Sequence, residues 1–224
     1  MHEVEFERRI NRKLKLVKDS ISEQIYSIIK EEILLAKRKP GEQINPRKLA
    51  DEFETSVMPI RDALNQLANE GLVIRKPRVG FFVRSFTPKE AKDLMEVRKL
   101  YELYCLEKYF DKIDRKKLSD YLDRSLEKID ISYKDREFDE LDENIHDLIV
   151  KASNNSWLIN GYNSIKNYIV VLKHLDTGQV QAAQREHISL INAILDGDKE
   201  KAMKVLEEHI QRVTEELMMS LISQ

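Results

Sequence analysis

Three histidines and one aspartate are spaced so that they can converge on a single ion. Asp142 and His146 are one helical turn apart, and His187 and His209 are 22 residues apart, straddling Gly197-Asp198 almost symmetrically. If Gly197 ends one helix and the next begins at once, each histidine lies about 11 residues from the turn, roughly 16 Å along its axis. The two then sit level across an antiparallel helix pair. Three imidazoles and a carboxylate suit a borderline divalent cation such as zinc, nickel, manganese or iron, whereas calcium and magnesium take all-oxygen shells. Any one of these histidines is accounted for by a hydrogen bond inside a core. Four polar groups on buried stripes must all be satisfied, and one shared cation does so at once. His2, in a charged tail, and His174, at a helix C-terminus where the dipole suffices, have no such company.

The elements that must carry these groups are helices. Residues 88–222 read as about six, near 88–110, 114–131, 134–153, 156–173, 180–196 and 199–222, with short breaks at Asn154-Asn155, Gly178 and Gly197-Asp198. An antiparallel bundle follows. In its third helix Phe138, Leu141, Ile145, Leu148, Ile149 and Ala152 form the apolar stripe, with Asp142 and His146 on its margin. His187 falls in line with Ala183, Ile191 and Ile194, and His209 with Ala202, Leu206 and Val213, so all four candidates point inward.

The N-terminal third has a different grammar. All five prolines lie between Pro40 and Pro88, which sets a boundary near residues 85–88. Residues 1–86 carry 17 Lys/Arg against 13 Asp/Glu, and residues 87–224 carry 21 against 27, so only the first part suits a polyanion. Ile21, Ile25, Ile28, Ile29, Ile33 and Leu35 mark a first helix. Pro46 opens a second through Phe53, and Ser56 is placed to N-cap a third from Val57 to Asn69. Two short helices joined by Glu54-Thr55-Ser56 make a helix-turn-helix candidate. Gly71 ends the third helix, and Leu72-Val73-Ile74 and Gly80-Phe81-Phe82-Val83 flank Arg75-Lys76-Pro77-Arg78 as a hairpin with a basic tip, apt for a phosphate backbone.

Leu49-Ala50-Asp51, the segment from Ser56 to Leu64, Glu70-Gly71-Leu72 and the wing Gly80-Phe81-Phe82-Val83 resemble the GntR family of bacterial winged-helix regulators. That resemblance implies that the helix bearing Arg61-Asp62-Ala63-Leu64 enters the major groove. Arg47, Ser56, Met58 and Arg61 then face DNA, with Arg75, Lys76 and Arg78 nearby. Many relatives place a base-reading arginine directly after the N-cap serine; here it is Val57, which implies a different operator. Asp142-x-x-x-His146, Glu186-His187, Gly197-Asp198 and His209-Ile210 look like the FadR-type C-terminal (FCD) ligand-sensing domain. In metal-binding members of that group the matching Asp and three His hold a divalent cation and small carboxylic acids bind beside it. Arg98 of Arg98-x-x-x-Glu102 matches the arginine that grips an effector carboxylate. By spacing alone the same two residues are an exposed i,i+4 pair.

The expected fold is therefore mostly α: a charged arm over residues 1–18, a winged helix-turn-helix over 19–86 and an all-α antiparallel bundle over 87–224. The expected function is a homodimeric regulator, with repression favoured over activation, that binds a palindromic double-stranded DNA operator and senses a small organic acid through a bound metal. Two rivals stand beside it: a purely structural metal with no effector, and an HD-type metal-dependent phosphohydrolase suggested by His146-Asp147. Asp147 lies about 100° round the helix from His146, which weakens the latter. Cys105 alone excludes an internal disulfide. With a charged N-terminus and no apolar run of ~18 residues, the chain reads as cytoplasmic, without a membrane partner.

Overall fold

Ser20 starts the first helix, α1 (Ile21–Leu34), by a reciprocal capping box. Its hydroxyl accepts from the Glu23 amide while the Glu23 carboxylate accepts from the Ser20 amide. The computed structural model describes residues 20–127, 136–175 and 180–222. The arm at 1–18, His2, Gly178 and the side chains of Phe138 and His174 lie outside the described residues. In α1 the buried stripe is Ile25, Ile29 and Ile33; Ile21 and Ile28, expected on the same stripe, are exposed. At 3.6 residues per turn the five isoleucines fan over about 140° of the helix, and Ile21 and Ile28 lie at one edge of that fan, beyond the buried face.

Asn45 caps α2 (Pro46–Glu52) by accepting from the Arg47 and Lys48 amides, with Pro46 at the first helical position where its missing N–H costs nothing. Ser56 stands at the N-cap position of α3 (Val57–Asn69) but its side chain makes no capping hydrogen bond, contrary to the sequence expectation. It is exposed and extended instead. Ile60, Ala63, Leu64 and Leu67 of α3 close the small core against α1. The wing pairs β2 (Val73–Lys76) antiparallel to β3 (Gly80–Val83), from Val73 opposite Val83 to Lys76 opposite Gly80. A two-residue strand β1 (Gln43–Ile44) adds to the free edge of β3, giving the order β1-β3-β2. Two residues between Gly41 and Pro46 carry no periodicity that a sequence reading can find.

Thr87 and Glu90 form a second capping box that launches α4 (Pro88–Tyr109), which ends in a 3-10 turn at Phe110–Lys112. The remaining bundle is α5 (Arg115–Glu127), α6 (Arg136–Lys151), α7 (Ser156–Leu175), α8 (Val180–Leu195) and α9 (Lys199–Ile222). A winged helix-turn-helix followed by an all-α bundle is the architecture expected from the periodicities. Gly197, at φ +78°, turns α8 into α9 where only glycine sits without strain. The two parts touch through α7. Tyr168 donates to the Glu70 carbonyl at the end of α3 at 2.7 Å, and Val171 is buried in the small core. Gly71, at φ +75°, leaves no room for a Cβ beside the Tyr168 hydroxyl.

Candidate metal centre

Inside the bundle, α6 supplies Asp142 and His146, α8 supplies His187 and α9 supplies His209, all four buried. One donor atom of each lies within 4.8 Å of every other. His187 Nε2 is 3.4 Å from both His209 Nε2 and Asp142 Oδ1. That separation is what two donors ~2.1 Å from one ion subtend at a tetrahedral angle. All the donor pairs lie within 4.8 Å, so those wider than a tetrahedral edge close on one ion by side-chain adjustment.

The surrounding carboxylates orient the rings. His146 Nδ1 lies 2.7 Å from Glu102 Oε2, and His209 Nδ1 lies 2.7 Å from Glu186 Oε2. Arg98 can only donate, so its Nη2, 2.8 Å from His146 Nε2, fixes the tautomer: Nε2 accepts and Nδ1–H donates to Glu102. Carboxylates behind imidazoles in this way raise ligand basicity and aim the other nitrogen at the centre. Glu102 also accepts from Arg98 Nε and from the Tyr162 hydroxyl, each at 2.8 Å. Glu186 is held by a two-pronged contact from Arg212 at 2.6 and 2.7 Å.

Protonation states agree with ligation. Burial by itself would raise the Asp142 carboxyl, but the cations Lys173, foremost, and Arg98 oppose it, and the group is held well below its ordinary range. Burial pushes His187 far down, and pushes His209 down to about 4 against the opposing pull of Glu186. Glu186 is itself lowered to about 2, because bonds from His209 and Arg212 overcome its burial. At neutral pH Asp142 is a carboxylate and His187 and His209 are neutral imidazoles, the forms in which these groups bind a cation. His187 Nδ1 and Arg98 Nη1 are buried with no hydrogen-bond partner among the described residues.

The four residues expected to converge do converge, and Arg98 sits with them. The alternative for Arg98 and Glu102, an exposed pair, is overturned: they are 1% and 0% exposed, because α4 runs through the middle of the bundle. Asp147 stays apart from the cluster, bound to Lys166 at 2.8 Å and Lys151 at 3.0 Å. Sequence reasoning missed Lys173, whose ammonium contacts Asp142 Oδ2, and the bonds of Tyr162 and Arg212. A signal existed for Lys173: it closes residues 169–173, otherwise wholly apolar and wholly buried. On the other part of the molecule Arg47, Ser56, Met58, Arg61, Arg75, Lys76 and Arg78 are all exposed, spread over α2, α3 and the wing. Lys76 lies 4.6 Å above the Phe82 ring.

Comparison with known proteins supplies the family. Residues 21–83 match the bacterial regulatory proteins of the gntR family, and residues 93–212 match the FCD domain. The HTH-type transcriptional regulator YdhC of Bacillus subtilis is 28% identical over 201 residues, 87% of this chain and 89% of that protein. The gluconate operon transcriptional repressor of Bacillus licheniformis is 36% identical over 129 residues, 56% of this chain and 52% of that protein. The FCD domain of the transcriptional regulator TM0439, solved metal-free and Zn2+-bound, is 33% identical and covers 62% of this chain and 99% of that one, with TM-scores of 0.57 and 0.54. These are regulators rather than enzymes, and among the described residues no helix is long and apolar enough to cross a membrane. With a winged helix whose exposed basic residues suit DNA and a helical domain matched over more than half its length, the chain belongs to the FCD-containing GntR family of DNA-binding transcriptional regulators.

Proposed function

We propose that Asp142, His146, His187 and His209 hold a divalent transition metal and that Arg98 grips the carboxylate of a small organic acid, so that the acid modulates binding to a palindromic operator. The observation that carries this reading is the convergence of four buried donor atoms from three helices within 4.8 Å, with two imidazoles backed by carboxylates. A relative whose FCD domain is known with zinc supports it. Zinc, nickel, manganese and iron all suit the donor set. When bound, the ion supplies a Lewis acid with open positions for acid oxygens. Arg98 Nη1, buried and unpartnered among the described residues, is aimed to donate a charge-assisted bond to such a carboxylate.

The path to DNA runs through α7. Tyr162 on this helix binds Glu102 at the centre, and Tyr168, nearly two turns on, binds the Glu70 carbonyl at the end of α3. A shift of α7 is thereby felt by the helix that carries Arg61. Arg47, Ser56, Met58 and Arg61 face the groove, and Arg75, Lys76 and Arg78 the flanking phosphates. The working units are an arm at 1–18, a DNA-binding domain at 19–86 and a sensing domain at 87–224. α4 turns charged residues inward and Val97, Leu100 and Tyr104 outward, into a groove shared with Met203 and Gln211 of α9. A second copy of the chain covers that face, as a palindromic operator requires. A repressor among the relatives supports repression.

Metal analysis and calorimetry test the reading together. Protein purified without supplementation should contain a transition metal, and chelation should lower its melting temperature while H187A removes that sensitivity. R98A should keep the metal and operator binding but lose the response to an acid. No bound metal and no thermal shift with zinc, nickel or manganese would count against the site.

A further inference from the structure

Helix α3 buries one stripe and turns a large apolar side chain directly away from it. Ile60, Ala63, Leu64 and Leu67 lie in the small core, and Met58 stands about 170° round the helix from the centre of that stripe. Met58 is 73% exposed, more than any other large apolar side chain described in the winged part, while Val57 beside it is half-buried. A lone exposed apolar group is ordinary on a protein surface. Its place is not ordinary, because the N-terminal residues of the second helix of a helix-turn-helix are the ones that reach base edges.

The neighbours of Met58 separate base edges from backbone. Asp62, one turn further along the outward face, is exposed, and Arg61, the only cation of α3, stands at the flank about 110° from the buried stripe. A strip made of a thioether and a carboxylate offers nothing to phosphate oxygens. The cations that suit the backbone are Arg61, Arg47 on α2, and Arg75, Lys76 and Arg78 on the wing, all exposed.

In the major groove the base pairs present donors, acceptors and one apolar group, the thymine C5-methyl. A methionine sulfur donates nothing and accepts weakly, so Met58 gains by covering apolar surface rather than by hydrogen bonding. We propose that Met58 reads the C5-methyl of a thymine in the operator half-site, making an apolar contact one determinant of operator choice. This rests on the groove-facing reading of α3 above. Thymine is the base that carries this methyl in unmodified DNA.

The test uses the full chain, an operator selected by the wild type from random duplex DNA, and fixed salt. Each thymine of the selected half-site is replaced singly by deoxyuridine, which keeps the pairing with adenine and lacks only the methyl. At one position that loss should weaken wild-type binding about fourfold, the value of one buried methyl-sized group. M58A should melt as wild type does, because the side chain is exposed, and should bind the thymine operator at least that much more weakly. At the same position the effect of uracil should vanish in M58A, as a direct contact requires, while effects at other thymines remain. R61A serves as the groove control. If R61A weakens binding but uracil affects wild type and M58A alike at every thymine, or the selected half-site holds no thymine, the methyl assignment is overturned and the groove-facing reading of α3 stands. If neither R61A nor M58A changes affinity, the groove-facing reading falls, and the methyl assignment with it.

Discussion

Replacing Glu102 with leucine removes the group on which the centre is organised. The carboxylate is fully buried and accepts from Arg98, His146 and Tyr162 at 2.7 to 2.8 Å. Its pKa is depressed because Arg98 and His146 outweigh the cost of burial. E102L leaves the Arg98 guanidinium buried without its hydrogen-bonded carboxylate partner, and breaking a buried pair in this way costs about 3–5 kcal/mol. For a chain of this size each kcal/mol moves the melting temperature by ~2–4 °C, so chelator-treated E102L should melt roughly 6–20 °C below wild type. R98M should cost less, because the stranded carboxylate keeps its bonds from His146 and Tyr162. The double variant R98M/E102L should recover most of the loss, since an apolar pair of similar volume replaces a buried ion pair at little cost. His146 also loses the acceptor that orients it, so zinc affinity should fall about 10- to 100-fold in E102L. Thermal melts and chelator competition on the three variants, with operator binding as the folding control, read both effects. A wild-type melting temperature for E102L, or simple additivity in the double variant, would refute the reasoning.

Three further outcomes are expected. Arg61→Ala should weaken operator binding without changing the melting temperature, because the side chain is exposed on α3; a correctly folded R61A with wild-type affinity at fixed salt removes it from the interface. Leu100→Glu, on the outward face of α4, should convert a dimer to monomers in sedimentation, and an unchanged mass would place the subunit contact elsewhere. Gly71→Ala should cost about 1–3 kcal/mol, since alanine is strained at φ +75° and Tyr168 must also give way; equal denaturant midpoints would contradict the packing of α7 against the end of α3.

The donor set was legible in the sequence because helical periodicity is a local property. Asp142 and His146 share a turn, and Gly197 reflects His187 onto His209, so inward-facing stripes brought together four groups distributed over 68 positions of chain. The winged helix was legible for the same reason, through proline and glycine punctuation and two β-prone runs around a basic tip. Ser56 failed as a capping side chain because a hydroxyl's rotamer depends on more than its position in the turn. Strand β1 was invisible, since two residues pair only because β3 offers them an edge.

Only tertiary structure decided what surrounds the donors. Arg98 and Glu102 have the spacing of a surface ion pair, and nothing in α4 itself distinguishes the two environments; the helices packed around it bury them. Lys173 reached Asp142 across 31 positions, and Tyr168 reached Glu70 across 98. Such contacts depend on the crossing of whole helices, which the pattern of one helix does not encode. The sequence thus determined which groups can bind an ion. The packing of α4 and α7 decided which cations contact those groups, and how the bundle is joined to the end of α3.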